Sequence, residues 1–235
     1  MSGNGVKALF FDVFGTLVDW RSGIAREAEA VLKPLGFSFD WWALADAWRE
    51  QYQPAMEEVR SGRLAYTKLD VLHRQTLKGI LPRFGIDELA DADLSNLTLA
   101  WHRLDAWPDV QSGLSRLRRR FLIAPVSNGN TAIMCDLARR NDFRWDAILG
   151  ADHARDFKPK AAVYLAAADA FGLSPSECMM CAAHGGDLRA ASESGLRTAF
   201  IARPEERPGF SESIPKMQVG LSCRTTLELA TQLGA

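Results

Sequence analysis

Five short runs are apolar at consecutive positions: residues 6–11 (VKALFF), 121–127 (FLIAPVS), 145–150 (WDAILG), 178–183 (CMMCAA) and 197–202 (RTAFIA). A strand with one wet face would alternate. Unbroken apolar runs of this length fit parallel strands buried on both faces. The stretches 129–141, 159–171 and 186–195 between them repeat their apolar residues at the helical period. Right-handed strand–helix–strand crossovers then predict an α/β fold with a doubly wound parallel, Rossmann-like sheet. Pro125 falls inside the second run and has no N–H to give to a ladder, so it is expected near the strand end, where pairing stops.

The interval between the first two runs is too long for one crossover. Residues 21–34, 40–60, 64–80 and 92–104 carry helical patterns, and none of them reads as a parallel strand. The first strand therefore leads into a helical insertion over 20–105, with the Rossmann-like core formed by 1–19 and 106–235. Six of the seven tryptophans (20, 41, 42, 48, 101, 107) fall in or beside the insertion. They are expected to pack a small helical subdomain, unless some of them line an apolar pocket over the strand ends. The Pro- and charge-rich stretch 203–217 reads as a surface loop.

Composition narrows the function classes. The chain has 235 residues, 47% apolar, with 28 basic and 29 acidic residues. No basic footprint for nucleic acid or anionic lipid is present, and no run approaches the ~20 apolar residues of a membrane span. The polar start MSGNGVK has no signal-peptide core, so the cytoplasm is the expected location. Four cysteines are too few for a disulfide scaffold. Cys178 and Cys181 form a C-x-x-C, but on a strand the two point to opposite faces, which argues against a redox pair or a metal site.

Polar residues gather where the runs end. Asp12 and Thr16 follow the first, Ser127 and Asn128 close the second, Lys158 and Pro159 follow the third, and His184 and Asp187 follow the fourth. In an open α/β sheet the C-terminal strand edge is where sites are built. Alone, each residue has a structural account as a turn residue, a helix cap, a surface charge or a first-turn acid. An acid, a hydroxyl, a cation and a second acid at successive strand ends instead point to one site. Position 14, two residues after Asp12, is phenylalanine rather than a second acid.

Together the segments DVFGTL (12–17), VSNG (126–129), KPKAAVY (158–164) and HGGDLRAASESGLRTAF (184–200), with the helical insertion, resemble the haloacid dehalogenase superfamily. Phe14 and the segment ADAWREQY (45–52) resemble its 2-haloacid dehalogenase branch. The resemblance implies a hydrolase that needs no cofactor or metal and takes a short 2-haloacid or related small carboxylate. It leaves open a homodimer. It also implies roles: Asp12 as nucleophile, Thr16 bonded to it, Lys158 holding it ionised, and Asp187 anchoring Lys158 and orienting water. Arg49 and Asn128 would receive the halide. Ser127 and the backbone N–H groups near Val13 and Phe14 would bind the substrate carboxylate. Tyr164 would join this network or simply pack its helix.

The departures are informative. Phosphatases of the superfamily carry an acid at position 14 to protonate an alkoxide, and a metal-ligating acid where this chain has Ala183. A halide other than fluoride leaves without a proton, so neither is required. Where the branch usually has a serine, an asparagine and an aromatic residue, this chain has Ala182, His184 and Gly186. His184 is therefore expected to take a proton from the hydrolytic water, or else to bond only to backbone. Trp48 or Tyr52 is expected to fill the space left by Gly186. Other readings keep the fold: opening of a strained cyclic amino acid, a phosphatase, or a non-enzymatic binder of a small acid or a protein.

Overall fold

The computed structural model describes residues 5–207 and 219–235. Its six strands form one all-parallel sheet: β1 (Ala8–Phe11), β2 (Leu122–Ser127), β3 (Leu149–Gly150), β4 (Cys178–Ala182), β5 (Arg197–Ile201) and β6 (Leu221–Cys223). They lie in the order β3-β2-β1-β4-β5-β6. The chain winds outward from β1 in one direction and then, from β4, in the other, which leaves a crevice at the carboxyl ends of β1 and β4. This is the doubly wound architecture that the apolar runs predict.

Consecutive side chains on each strand enter different cores, as the two-residue period requires. Leu9, Phe11, Ile123, Met179 and Cys181 join the core on one face. Ala8, Phe10, Ala124, Val126, Cys178 and Met180 join the core on the other. Cys178 and Cys181 thus sit on opposite faces of the sheet, and both are free thiols.

Between β1 and β2 the chain forms α1 (Trp20–Leu32), α2 (Trp41–Glu50), α3 (Tyr52–Arg60), α4 (Leu69–Ile80) and α5 (Asp91–Thr98). The helix expected over 40–60 is broken at Gln51. Pro54 explains the break, because it cannot donate to residue 50 and its ring clashes with that carbonyl. The pattern over 64–80 becomes helical only from Leu69. This insertion shares one continuous core with the first sheet face. Trp20, Trp48 and Trp101 are fully buried in it, whereas Trp42 is exposed.

Further elements complete the layers: α6 (Val110–Leu117), α7 (Thr131–Asn141), α8 (Ala151–Ala154), α9 (Ala161–Ala170), α10 (Gly185–Glu193) and α11 (Thr226–Gln232). β6, α6, α8 and α11 have no counterpart among the expected elements. The expected strand at 145–150 shrinks to Leu149–Gly150. Asp146 stands in for strand pairing: its N–H donates to the Ile123 carbonyl (3.0 Å) and its carboxylate accepts the Ile123 N–H (2.9 Å). Pro125 lies two residues short of the β2 end, at the last pair with β1, Phe11↔Pro125. Ile123 faces β3, so by alternation Pro125 faces it too, and its missing N–H breaks no bond to β1.

Of the expected surface loop 203–217, residues 208–217 lie outside the described residues. Of residues 203–207, Pro204 and Glu205 are exposed as in a surface loop, whereas Arg203 and Glu206 turn inward. Arg203 is paired with Asp109 through both ends of its guanidinium (2.7 and 3.0 Å), and its Nε donates to the Thr16 carbonyl (2.8 Å).

Candidate active site

Asp12 follows β1 at the crevice, and its backbone N–H still pairs with β4 at the Cys181 carbonyl (3.1 Å). The side chain is buried, with 8% of the residue exposed. A buried carboxylate is costly unless its oxygens are bonded. Here they are: Oδ1 accepts from Lys158 Nζ (2.9 Å), and Oδ2 accepts from Thr16 Oγ1 (2.8 Å) and is 3.0 Å from His184 Nδ1. The Thr16 hydroxyl in turn accepts the Ala183 N–H (2.9 Å), which couples the turn after β1 to the end of β4.

Lys158 bridges two carboxylates, because its Nζ also donates to Asp187 Oδ2 (2.5 Å). Tyr164 donates to the other oxygen, Oδ1, of Asp187 (2.5 Å). α9 and the first turn of α10 bring these groups together. Burial would raise the Asp12 carboxyl, but the Lys158 charge and the His184 bond outweigh it and hold Asp12 well below the usual carboxylate range. Burial would lower the Lys158 ammonium, but Asp12 and Asp187 raise it. Asp187 is raised, chiefly by burial, which exceeds the opposing pull of Lys158.

His184 lies between two acids. Beyond its Nδ1 contact with Asp12, its Nε2 is 3.2 and 3.1 Å from the two oxygens of Glu206. Burial would lower the imidazolium, but the bonds to Asp12 and Glu206 push it up to about 10. At neutral pH the ring is therefore a cation that donates from both nitrogens. The neutral, proton-accepting imidazole expected from the sequence is not its resting state.

These groups border a cavity of about 310 Å³, lined by Asp12, Phe14, Tyr52, Lys158, His184 and Asp187 among others. Arg49, Asn128, Tyr164, Pro159 and Gly186 also line it, with Gln53, which the sequence did not single out. Tyr52 lines the same cavity as Gly186, but a Cβ added at Gly186 would meet nothing within 4 Å among the described residues, so neither Tyr52 nor Trp48 fills the space left there. Trp48 lies behind Tyr52, with its Nε1 donating to the His73 carbonyl (3.1 Å) and to Thr76 Oγ1 (3.2 Å).

Arg49 stacks over Tyr52 (4.0 Å) and Trp20 (5.2 Å), and its buried Nη1 has no hydrogen-bond partner among the described residues. A desolvated guanidinium N–H with no acceptor, at the wall of a cavity, is a built anion donor. Asn128 Oδ1 accepts the Lys158 N–H (2.8 Å), which turns its amide nitrogen to other partners. Ser127 is fully buried and its Oγ accepts the Gly129 N–H (3.0 Å). Neither Ser127, Val13 nor Thr16 borders the cavity directly. The backbone N–H groups of Val13 and Phe14 have no acceptor among the described residues.

The sequence missed Glu206. Its carboxylate accepts from Trp20 Nε1 (2.7 Å) as well as meeting His184. It sits over Gly15, where an added Cβ would lie 2.1 Å from Oε1 and where φ is +84°. The segment's charges and prolines gave a loop signal, and nothing local showed that one acid turns inward.

The haloacid dehalogenase-like hydrolase family model matches residues 6–195. The chain is 28% identical over 219 residues to (S)-2-haloacid dehalogenase 4A of Burkholderia cepacia, covering 92% of this chain and 91% of that protein. The crystal structure of a defluorinating L-2-haloacid dehalogenase superposes with a TM-score of 0.95 at 41% identity, covering 98% of this chain and 96% of that one. Another L-2-haloacid dehalogenase superposes with a TM-score of 0.93 at 44% identity, covering 98% and 99%.

Proposed function

Since this chain belongs to the haloacid dehalogenase-like hydrolases, we propose that it hydrolyses a short (S)-2-haloacid to the 2-hydroxy acid through an ester on Asp12, without a metal ion. One observation carries the reading: a buried carboxylate kept ionised by Lys158 shares a cavity with an unpaired Arg49 guanidinium, and Phe14 stands where a proton-donating acid would be.

In the first step an Asp12 oxygen attacks the halogen-bearing carbon in line. The C–O bond forms as the carbon–halogen bond breaks, and the electron pair leaves with the halide. Arg49 and the Asn128 amide receive it. The free N–H of Phe14, which borders the cavity, holds the substrate carboxylate with the Val13 N–H beside it, and Ser127 braces the turn after β2 through the Gly129 N–H. The helical segment 20–105 acts as a cap that brings Arg49 and Tyr52 over the nucleophile and excludes water.

In the second step water adds to Cγ of Asp12. Asp187, fixed by Lys158 and Tyr164, orients that water. The donor set supports metal independence: a dication would have to share Asp12 and Asp187 with an ammonium already bonded to both, and Ala183 supplies no side-chain oxygen.

The relative with a TM-score of 0.95 is described as defluorinating. Fluoride is a stronger base than the other halides and needs stronger donors, and the desolvated Nη1 of Arg49 is one. We include fluoroacetate among the substrates.

Halide release from chloroacetate and fluoroacetate tests this function. It should continue at an unchanged rate in excess EDTA and vanish in Asp12→Asn. Loss of activity with EDTA, restored by a divalent cation, would overturn the metal-independent reading.

A further inference from the structure

Thr16 and His184 both donate to Asp12 Oδ2, while Oδ1 meets Lys158 alone. An oxygen that already accepts two hydrogen bonds has little lone-pair density left for attack. Oδ1 keeps a free lone pair, so it is the oxygen that bonds to substrate carbon, and Oδ2 becomes the carbonyl oxygen of the ester.

From this geometry, and resting on the covalent reading above, we infer that Glu206 is a positioning residue that holds His184 as an imidazolium, and that His184 and Thr16 form the oxyanion-binding pair for ester hydrolysis. His184 touches the reacting carboxyl and is the catalytic member of the pair. Glu206 acts only through it.

The supports of Glu206 look built for this. Trp20 Nε1 fixes one oxygen, and Gly15 supplies the positive φ and leaves the room that the carboxylate occupies. The Arg203–Asp109 pair anchors the segment three residues upstream, and Asp109 also accepts the Thr226 N–H (2.6 Å). The charged groups around the ring are Asp12 from the β1 end, Glu206 from the segment after β5, and Asp187 on the ring's own helix. Lys158 is bonded to the other oxygen of Asp12, and Arg49 and Arg207 both lie over the Trp20 ring.

Ester formation neutralises Asp12. Glu206 is then the remaining anion bonded to the ring and keeps its proton in place. Water oxygen adds to Cγ and passes a proton to Asp187, while the carbonyl pair moves onto Oδ2 between Thr16 and His184. Collapse restores that carbonyl and breaks the Cγ–Oδ1 bond. Lys158 protonates the departing alkoxide and is reprotonated by Asp187. The new Asp12 carboxyl gives its proton to solvent.

The test compares wild type with Glu206→Gln in a single turnover of 2-chloropropionate, quenched and read by intact-protein mass and by chloride. The expected result for the variant is a retained chloride burst and an Asp12 adduct that decays at least tenfold more slowly than in wild type. Its decay rate should fall as pH rises from 6 to 9, while the fall in wild type lies at higher pH. Histidine ¹⁵N spectra should show His184 protonated on both nitrogens at pH 8 in folded wild type and losing its second proton at lower pH in the folded variant, where Asp12 alone still faces the ring. Adduct decay at the wild-type rate, or decay that accelerates from pH 6 to 9 as a general base at His184 requires, would overturn the inference and leave the covalent reading intact. Wild-type chloride release without any adduct on Asp12 would overturn both.

Discussion

Lys158 Nζ lies 2.9 Å from Asp12 Oδ1, and both groups are buried. The contact does two jobs: it offsets the desolvation of the carboxylate, and it leaves the attacking oxygen with one lone pair free. Without the ammonium, burial would be opposed chiefly by His184, and the Asp12 carboxyl would rise. Lys158→Met should slow halide release by about 100-fold or more, the size of losing one preorganised charge at a reacting group. The acid limb of its rate–pH profile should move to higher pH, because a raised carboxyl must still be deprotonated to attack. A profile unchanged in position would contradict this.

Arg49 offers a buried donor with no protein acceptor. Arg49→Lys keeps the charge but loses the planar fork and its stacking on Tyr52 and Trp20. Inhibition by added bromide should weaken by about tenfold or more, and kcat/KM should fall with it. Equal bromide inhibition in the two proteins would move the halide elsewhere in the cavity.

In-line displacement fixes stereochemistry. (S)-2-Chloropropionate should give (R)-lactate alone, because one inversion occurs at the carbon and hydrolysis breaks only the Asp12 acyl bond. Chiral chromatography of the product reads this directly. Retention would require a second displacement at the same carbon.

The raised His184 imidazolium has a consequence for stability. A group raised from 6.5 to about 10 in the folded state contributes stability that is fully present below pH 6.5 and is lost as pH climbs toward 10. Wild-type Tm should therefore fall between pH 7 and 10 by more than the Tm of His184→Asn. Parallel Tm–pH curves would show that the ring is not held as a cation.

Gly15 has φ of +84° beneath the Glu206 carboxylate. Gly15→Ala should cost about 1–2 kcal/mol in stability from backbone strain. It should also slow ester hydrolysis more than halide release, by displacing Glu206. Urea unfolding and burst kinetics separate the two effects.

The parts that were legible in the sequence share a physical reason. Parallel strands buried on both faces leave continuous apolar runs, and polar residues at their ends stand out against that background, as Asp12, Ser127, Lys158 and Asp187 did. β6 escaped because three residues at a sheet edge carry no period. α6 and α11 escaped because they are only eight and seven residues long. Glu206 was hidden for a different reason: its role comes from contacts with Gly15, Trp20 and His184, the last 22 residues away and the others more than 180. The charge state of His184 was hidden with it, since the imidazole reads as neutral until its second acid is found.

The most direct measurement is a single turnover of 2-chloropropionate in H₂¹⁸O with enzyme in excess. The account predicts ¹⁸O in the peptide containing Asp12 and none in the lactate formed in that first cycle. Lactate labelled in the first turnover, with Asp12 unlabelled, would mean that water attacks the substrate directly and would contradict the covalent route.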